Sequence, residues 1–412
     1  MSRCRRAHPL ERGMADQVLT IDTVPGYIAD RKALRDLVDV ETLSVSEIGD
    51  GNLNLVFVCA DQQGRRLVLK QALPYVRLVG PDWPMTEARA AREAAAMRVH
   101  GALSPDVCQL VDFDEERHVL ALEDLSDHEV FRTRLNAGGP YEGVAERLAA
   151  YLAEVAFGTS FLGLPTQEFR RRAAAAINPE LCELTEDLVF TEPYLGADRN
   201  SVRPVLEPVV ARLQADQEWI AGALAMKRSF LTVQEMLLHG DLHSGSVFVR
   251  GDGADLSVKA FDPEFACYGP VGFDLGMMWA SMLFAAARAG ALGDLARAEG
   301  LFRTVSSSWA VFEERLRQRW PDRAAPGGLP DSFLEDWLPA VLRDSFGFAG
   351  CEAARRIIGL AKVSDVESLD DDAYAVAATA CLRLSRVLLV ERETLTLDRV
   401  VEAGLAALGD GD

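Results

Sequence analysis

Two carboxylates bracketing a short hairpin constrain this chain more than any other feature. The run His239-Gly-Asp-Leu-His-Ser-Gly-Ser-Val-Phe-Val249 is followed by Asp262-Pro-Glu-Phe-Ala266. Between them, Gly251-Asp252-Gly253 is a turn signal separating two β-rich runs, Val247–Val249 and Leu256–Phe261. An antiparallel ladder returns the chain to the end where it began, so Asp241 and Asp262 are expected to face one small volume. Two carboxylates so placed can divide the work of phosphoryl transfer, where catalysis is mainly positioning and charge neutralisation. Asp241 suits acceptance of a hydroxyl proton, and Asp262 suits a divalent cation bridging phosphates.

The chain has 412 residues, beyond the ~250 to 300 at which a single core stops growing, so two domains are expected. Apolar residues make up 49% and charged residues 26%, the composition of a chain that folds by itself. The net charge of −20 repels phosphate backbones and anionic lipid, which argues against nucleic acid and membrane as partners. It also repels a nucleotide, so the few well-placed cations carry information. Seven scattered cysteines with no C-x-x-C pair argue against a disulfide framework or structural zinc and point to a reducing, cytoplasmic setting. Arg3, Arg5 and Arg6 have no apolar segment behind them, so no export signal is expected, and Met14 is a candidate start. The uncharged stretch Leu275–Ala287 is shorter than the ~20 residues a bilayer requires and reads as a buried core helix.

From Leu43 to Leu122 the pattern is strand-rich: Leu43–Ile48, Leu55–Ala60, Leu67–Lys70, Gln109–Phe113 and His118–Leu122, with one helix near Thr86–Arg98. Helical periodicity then dominates, at Val144–Phe161, Leu206–Met226, Ala291–Arg317, Glu335–Phe346, Ala353–Val363 and Ala373–Glu391. The expectation is an α+β, two-lobed arrangement of the protein-kinase type. A small antiparallel-sheet lobe spans 1–122, with 1–13 a disordered extension, a hinge spans 123–127, and a helical lobe with the catalytic hairpin spans 128–412.

Within the small lobe, Gly51-Asn52-Leu53-Asn54 lies between two strands, where small residues let amides approach phosphate oxygens; an ordinary hairpin turn has the same composition. Lys70 ends the apolar run Leu67-Val68-Leu69 and can reach nucleotide phosphates, with Glu93 as an ion-pair partner; a solvated lysine and glutamate fit the pattern equally. The backbone of Glu123-Asp124-Leu125 could bind adenine, as could any acidic linker. Trp83, between Pro81 and Pro84, suits either a lid or a hydrophobic anchor. His239 and His243, at i and i+4, fail as a zinc motif because Gly240 occupies the position of the required glutamate and Gly245 breaks the helix. They read instead as loop braces or core histidines. Ser246 stands where many kinases place a metal-binding Asn, which shifts metal binding to Asp262 and Glu264. In the segment Gly347–Val363, Cys351, Arg355 and Ile358 share one helical face, so one arginine of the pair Arg355-Arg356 is expected to be half-buried. It would then face either a phosphate or sugar partner or a structural carboxylate.

Taken together, Gly51–Asn54, Lys70–Tyr75, Trp83-Pro84, Asn178–Cys182, His239–Val249, Asp262–Ala266 with Tyr268-Gly-Pro270, and Gly347–Val363 resemble the S-methyl-5-thioribose kinase family, over about Glu47 to Ser368. Asp-Pro-Glu at the metal position and the paired arginines are the most specific of these. The resemblance implies the fold shared by protein kinases and aminoglycoside phosphotransferases, ATP as donor with Mg²⁺, a homodimer, and phosphorylation of the anomeric hydroxyl of methylthioribose in methionine salvage. It implies nucleotide contacts from Gly51, Asn52, Asn54, Lys70, Glu93 and Glu123 to Leu125, and Asp241 as the base at the sugar. It further implies metal binding by Asp262 and Glu264, and sugar or phosphoryl binding by Arg355, Arg356 and Trp83. Ser244 in place of Thr and Cys267 in place of an aromatic are the departures. Alternatives are a kinase of the same fold acting on 5-deoxyribose, aminoglycosides or choline, and a non-catalytic nucleotide-binding scaffold.

Overall fold

The computed structural model describes residues 18–409 except 50–52, 78, 79, 81 and 326. The extension 1–13 and the turn residues Gly51 and Asn52 therefore lie outside the described residues. The chain divides into two compact units, one running up to Gly101 and resuming at Cys108–Ser126, the other comprising Ala102–Val107 and Asp127 onward.

The first unit is built on five antiparallel strands, β1 (Ser44–Ile48), β2 (Asn54–Ala60), β3 (Arg66–Ala72), β4 (Leu110–Asp114) and β5 (Val119–Leu122), in the order β1-β2-β3-β5-β4. Period-two alternation decides which side chain goes where. Phe57, Cys59, Leu67, Leu69, Val119 and Ala121 bury one face against Val24, Ile28 and Leu34. These last three come from the short helices Val24–Asp30 and Lys32–Arg35, which the periodicity did not disclose. Lys70 points to the opposite face. There the helix Arg89–Leu103 begins later and ends later than the sequence pattern suggested.

The second unit is helical around a small hairpin. Strand β8 (Val247–Arg250) pairs with β9 (Ser257–Ala260) from Val247↔Ala260 to Arg250↔Ser257, and β6 (Glu129–Val130) flanks β8. A second pair joins β7 (Met236–Leu237) to β10 (Tyr268–Gly269). The helix Gly272–Ala291 is almost wholly buried and packs on Leu295–Arg319, Asp331–Ile358 and Asp371–Val390. Asp371–Val390 is long and apolar enough to span a bilayer by composition, yet Tyr374, Ala377, Cys381, Leu384 and Leu388 bury it in this core.

Three sequence expectations change here. Leu206–Met226 is two helices, Glu207–Gln214 and Gln217–Thr232, because Asp216 caps the second by accepting from the amides of Glu218 and Trp219. The segment expected at Ala291–Arg317 starts at Leu295, with Asp294 as its cap, and Ala291 ends the preceding helix. Glu335–Phe346 and Ala353–Val363 are one helix, Asp331–Ile358, ending before Val363. Its glycines are not breaks but close approaches: a Cβ at Gly347 would come within 2.9 Å of Met226 Cγ, and one at Gly350 within 3.0 Å of the Ser385 carbonyl. The helices Thr166–Ala175, Pro179–Phe190 and Leu397–Gly409 are additional.

Candidate active site

In the first unit, Lys70 Nζ donates to both carboxylate oxygens of Glu93 at 2.8 Å, and the two side chains are only 8% and 2% exposed. A fully formed pair at that depth is rigid, because separating the charges leaves one buried and uncompensated. Asn54, at the start of β2, is buried and its Oδ1 accepts from Arg89 Nη2 at 2.9 Å. Arg89, fully buried, also donates to the carbonyls of Leu73, Thr86 and Leu53, so it ties the turn before β2 to the helix. Trp83 lies on a loop closed by hydrogen bonds between the Trp83 amide and the Gly80 carbonyl and between the Val76 amide and the Trp83 carbonyl. The Glu123 amide donates to the Gln109 carbonyl, and its Oε1 accepts from the Gln109 amide. Asp124 turns to Ser126 and Arg66, and Leu125 is buried.

In the second unit the hairpin sets the geometry. Gly240 has φ +85°, and a Cβ there would lie 2.4 Å from the Phe265 carbonyl, so only glycine lets the His239–His243 loop press against Asp262–Ala266. His239 is buried, and its Nε2 is 3.0 Å from the Phe261 carbonyl. Burial pulls it down to about 4, leaving it a neutral brace that feels both Asp241 and Asp262. Asp262 itself is left-handed, φ +68°, a conformation that aspartate tolerates better than most residues. Asn178 Nδ2 donates to the carbonyls of Glu264 and Ala266 at 2.9 and 3.2 Å, pinning the loop that carries Asp262 and the buried Glu264. Oxygen donors on a pinned loop suit a hard divalent cation.

Asp241 is 22% exposed and faces both arginines: Arg356 Nη2 lies 3.5 Å and Arg355 Nη1 3.8 Å from its Oδ1. Glu352, one turn back on the same helix, holds the pair, with Oε2 3.1 Å from Arg355 Nη1 and Oε1 2.5 Å from Arg356 Nε. Burial pushes the Asp241 carboxyl up, but His243, Arg356 and Arg355 outweigh it and hold the group well below the usual carboxylate range. Burial pulls His243 down despite Asp241, 3.4 Å away. At neutral pH the arginines are therefore the cations that keep Asp241 ionised.

Residues 44–334 match the model of the phosphotransferase enzyme family. The chain is 40% identical to a methylthioribose kinase of Geobacillus kaustophilus over 386 residues, covering 91% of this chain and 93% of that protein. It is 39% identical to one of Yersinia pseudotuberculosis over 373 residues, covering 89% of each. The chain belongs to the methylthioribose kinase family. Among solved structures, a choline kinase from Cryptosporidium parvum aligns with TM-score 0.47 and 10% identity, covering 91% of this chain and 98% of that one. Family membership makes the protein a kinase with the two-part α+β fold.

Within this methylthioribose kinase family member, the structure brings Lys70 to Glu93, and Asp241 to Arg355 and Arg356. Both arginines, not one, are buried. Sequence reasoning missed Glu352 and Asp274. Glu352 could have been found from its i, i+3 and i, i+4 spacing to the arginines. Asp274, in the first turn of the Gly272–Ala291 helix, accepts from the amides of His239 at 2.7 Å and Gly240 at 3.0 Å, and no local signal marks it. Asp274→Asn can accept only one of these bonds, so at about pH 5 we expect a loss of ~1–3 kcal/mol in thermal unfolding together with reduced turnover. Burial also raises Asp274 from 3.8 to about 7. A raised carboxyl binds more protons folded than unfolded between those values, so its contribution is full at low pH and lost as pH approaches 7. Melting temperatures of the wild type relative to Asp274→Asn should therefore fall from about pH 5 to pH 7; a constant difference would reject this role.

Proposed function

We propose that the protein transfers the γ-phosphoryl group of ATP to the 1-hydroxyl of S-methyl-5-thio-D-ribose, giving S-methyl-5-thioribose 1-phosphate and ADP in methionine salvage. The observation that carries this reading is Asp241 facing the Glu352-held arginine pair. The anomeric oxygen forms the new O–P bond, the bond between the γ-phosphorus and the β,γ-bridging oxygen breaks, and Asp241 takes the hydroxyl proton. Arg355 and Arg356 orient sugar hydroxyls and offset charge on the moving group. Lys70, set by Glu93, contacts the nucleotide phosphates, and the segment from Gly51 to Asn54 and the Glu123–Leu125 backbone contribute further ATP contacts. With the Glu123 amide engaged by Gln109, adenine contacts from this segment would come from the backbone of Asp124 and Leu125. Asp262 and Glu264 would hold Mg²⁺, which supplies charge neutralisation at the phosphates. Trp83 contributes to sugar binding, and the enzyme works as a cytoplasmic homodimer.

Two guanidinium groups beside the base favour a neutral or anionic acceptor and disfavour a polyamine. Turnover of ATP should therefore be rapid with methylthioribose and absent with kanamycin. Comparable rates on both, or none on methylthioribose, would overturn the assignment. Gel filtration with light scattering at several concentrations tests the dimer.

A further inference from the structure

A third guanidinium stands beside the arginine pair. Arg132, on the short helix Phe131–Asn136, has its Nε 3.1 Å from Asp365 Oδ2 and 3.3 Å from Ser244 Oγ, to which it donates. Its head lies over Gly245: a Cβ built there would be 2.8 Å from Arg132 Nη1 and 2.9 Å from His243 Cε1. Glycine at 245 thus lets the guanidinium rest against the loop, next to the imidazole that touches Asp241. Arg132 Nη1 and Nη2 donate to no protein group among the described residues, and neither is sealed from solvent.

The charges around this point are unevenly distributed. Glu352 and Asp365 are each 1% exposed and lie behind the arginines. On the accessible side are Arg132 at 19%, Arg355 at 10% and Arg356 at 6%, against Asp241 alone at 22%. The three guanidiniums are thus matched by three carboxylates, two of them buried, so that cationic donors outnumber carboxylates on the accessible side only. Burial lowers the Arg132 pKa, and Arg356 adds to that effect, against Asp365, Asp241 and Glu352. A neutral sugar offers few strong acceptors to the outward-facing terminal nitrogens of Arg132, whereas a phosphate monoester of about −1.5 to −2 charge offers several.

We propose that Arg132 binds the phosphoryl group of the sugar 1-phosphate as it forms, its two terminal nitrogens taking phosphate oxygens while Asp365 fixes the guanidinium from behind. This rests on the kinase reading above and adds a residue to it. The test compares Arg132→Met and Arg132→Lys with the wild type for product inhibition by S-methyl-5-thioribose 1-phosphate and for the KM of each substrate. Arg132→Met should weaken product inhibition by at least about tenfold, since both charge-assisted hydrogen bonds from the guanidinium are lost. The KM values for the neutral sugar and ATP should stay within about twofold. Arg132→Lys, which keeps the charge without the fork, should fall between, and it decides the matter alone if the Met variant does not fold. Unchanged product inhibition, or an equal loss in the KM of the neutral sugar, would overturn the proposal. Titration calorimetry with inorganic phosphate separates the two readings. Phosphate binding that Arg132→Met weakens, in an enzyme inactive on methylthioribose, sinks the substrate and keeps the anion site; binding that Arg132→Met leaves unchanged sinks the anion site.

Discussion

Asp241→Asn should lower kcat by a factor on the order of 10² to 10⁴, with ATP affinity unchanged. The amide keeps the size of the side chain and a contact with the sugar hydroxyl, but it cannot take the proton. Asp241 is held ionised by Arg355, Arg356 and a neutral His243 neighbour, and this makes it a weak base in isolation. In the proposed reaction it would therefore orient the hydroxyl and receive the proton late, when the O–P bond is largely formed. A pH consequence follows from the sign of the shift. Because the carboxyl is depressed, it stays ionised as pH falls through the range in which an ordinary aspartate protonates. The acid limb of kcat/KM assigned to this group should thus lie below about pH 4. Near wild-type turnover in Asp241→Asn would remove the residue from the chemistry. An acid limb near pH 6 that persists in Asp274→Asn would contradict the assigned electrostatics.

Asp262→Asn should lower turnover by a factor on the order of 10³ and raise the Mg²⁺ concentration needed for half-maximal rate. Asparagine is the informative substitution because Asp262 is left-handed, and asparagine accepts that backbone where alanine would add strain. The loop stays pinned by Asn178 through the carbonyls of Glu264 and Ala266, so the change removes a charge without moving the chain. With the charge gone, the phosphates lose one of two carboxylates that would hold their cation, and Glu264 remains as a weaker site. Full activity at unaltered Mg²⁺ would reject the metal assignment. Loss of both activity and cooperative unfolding would mean that the substitution broke the loop, and Glu264→Gln would then carry the test.

Much of the site was legible because its residues are close in sequence and their spacing is itself geometric. A turn between Val247 and Ala260 brings Asp241 and Asp262 to one end of a ladder. The period of a strand places Lys70 opposite Leu67 and Leu69, and the period of a helix places Arg355 and Arg356 near Glu352. Gly240 and Asp262 show in the sequence as a glycine and an aspartate, and the fold uses both at positive φ.

Other features depend on segments far apart in the chain, and no local pattern encodes them. Asp274 reaches the amides of His239 and Gly240 only because the Gly272–Ala291 helix is buried beneath the loop. Arg132 meets Ser244 and Asp365 from three separate elements. Gly347 and Gly350 look like helix breakers until Met226, Ser385 and Leu389 press against them, and packing then overrides propensity within one long helix. Sequence alone determined which groups are candidates for the chemistry and the local register that pairs them. Tertiary packing decided which charges are buried and which counter-charges face them. Desolvation and Coulomb energy depend on distances that the chain sets only once it has closed on itself.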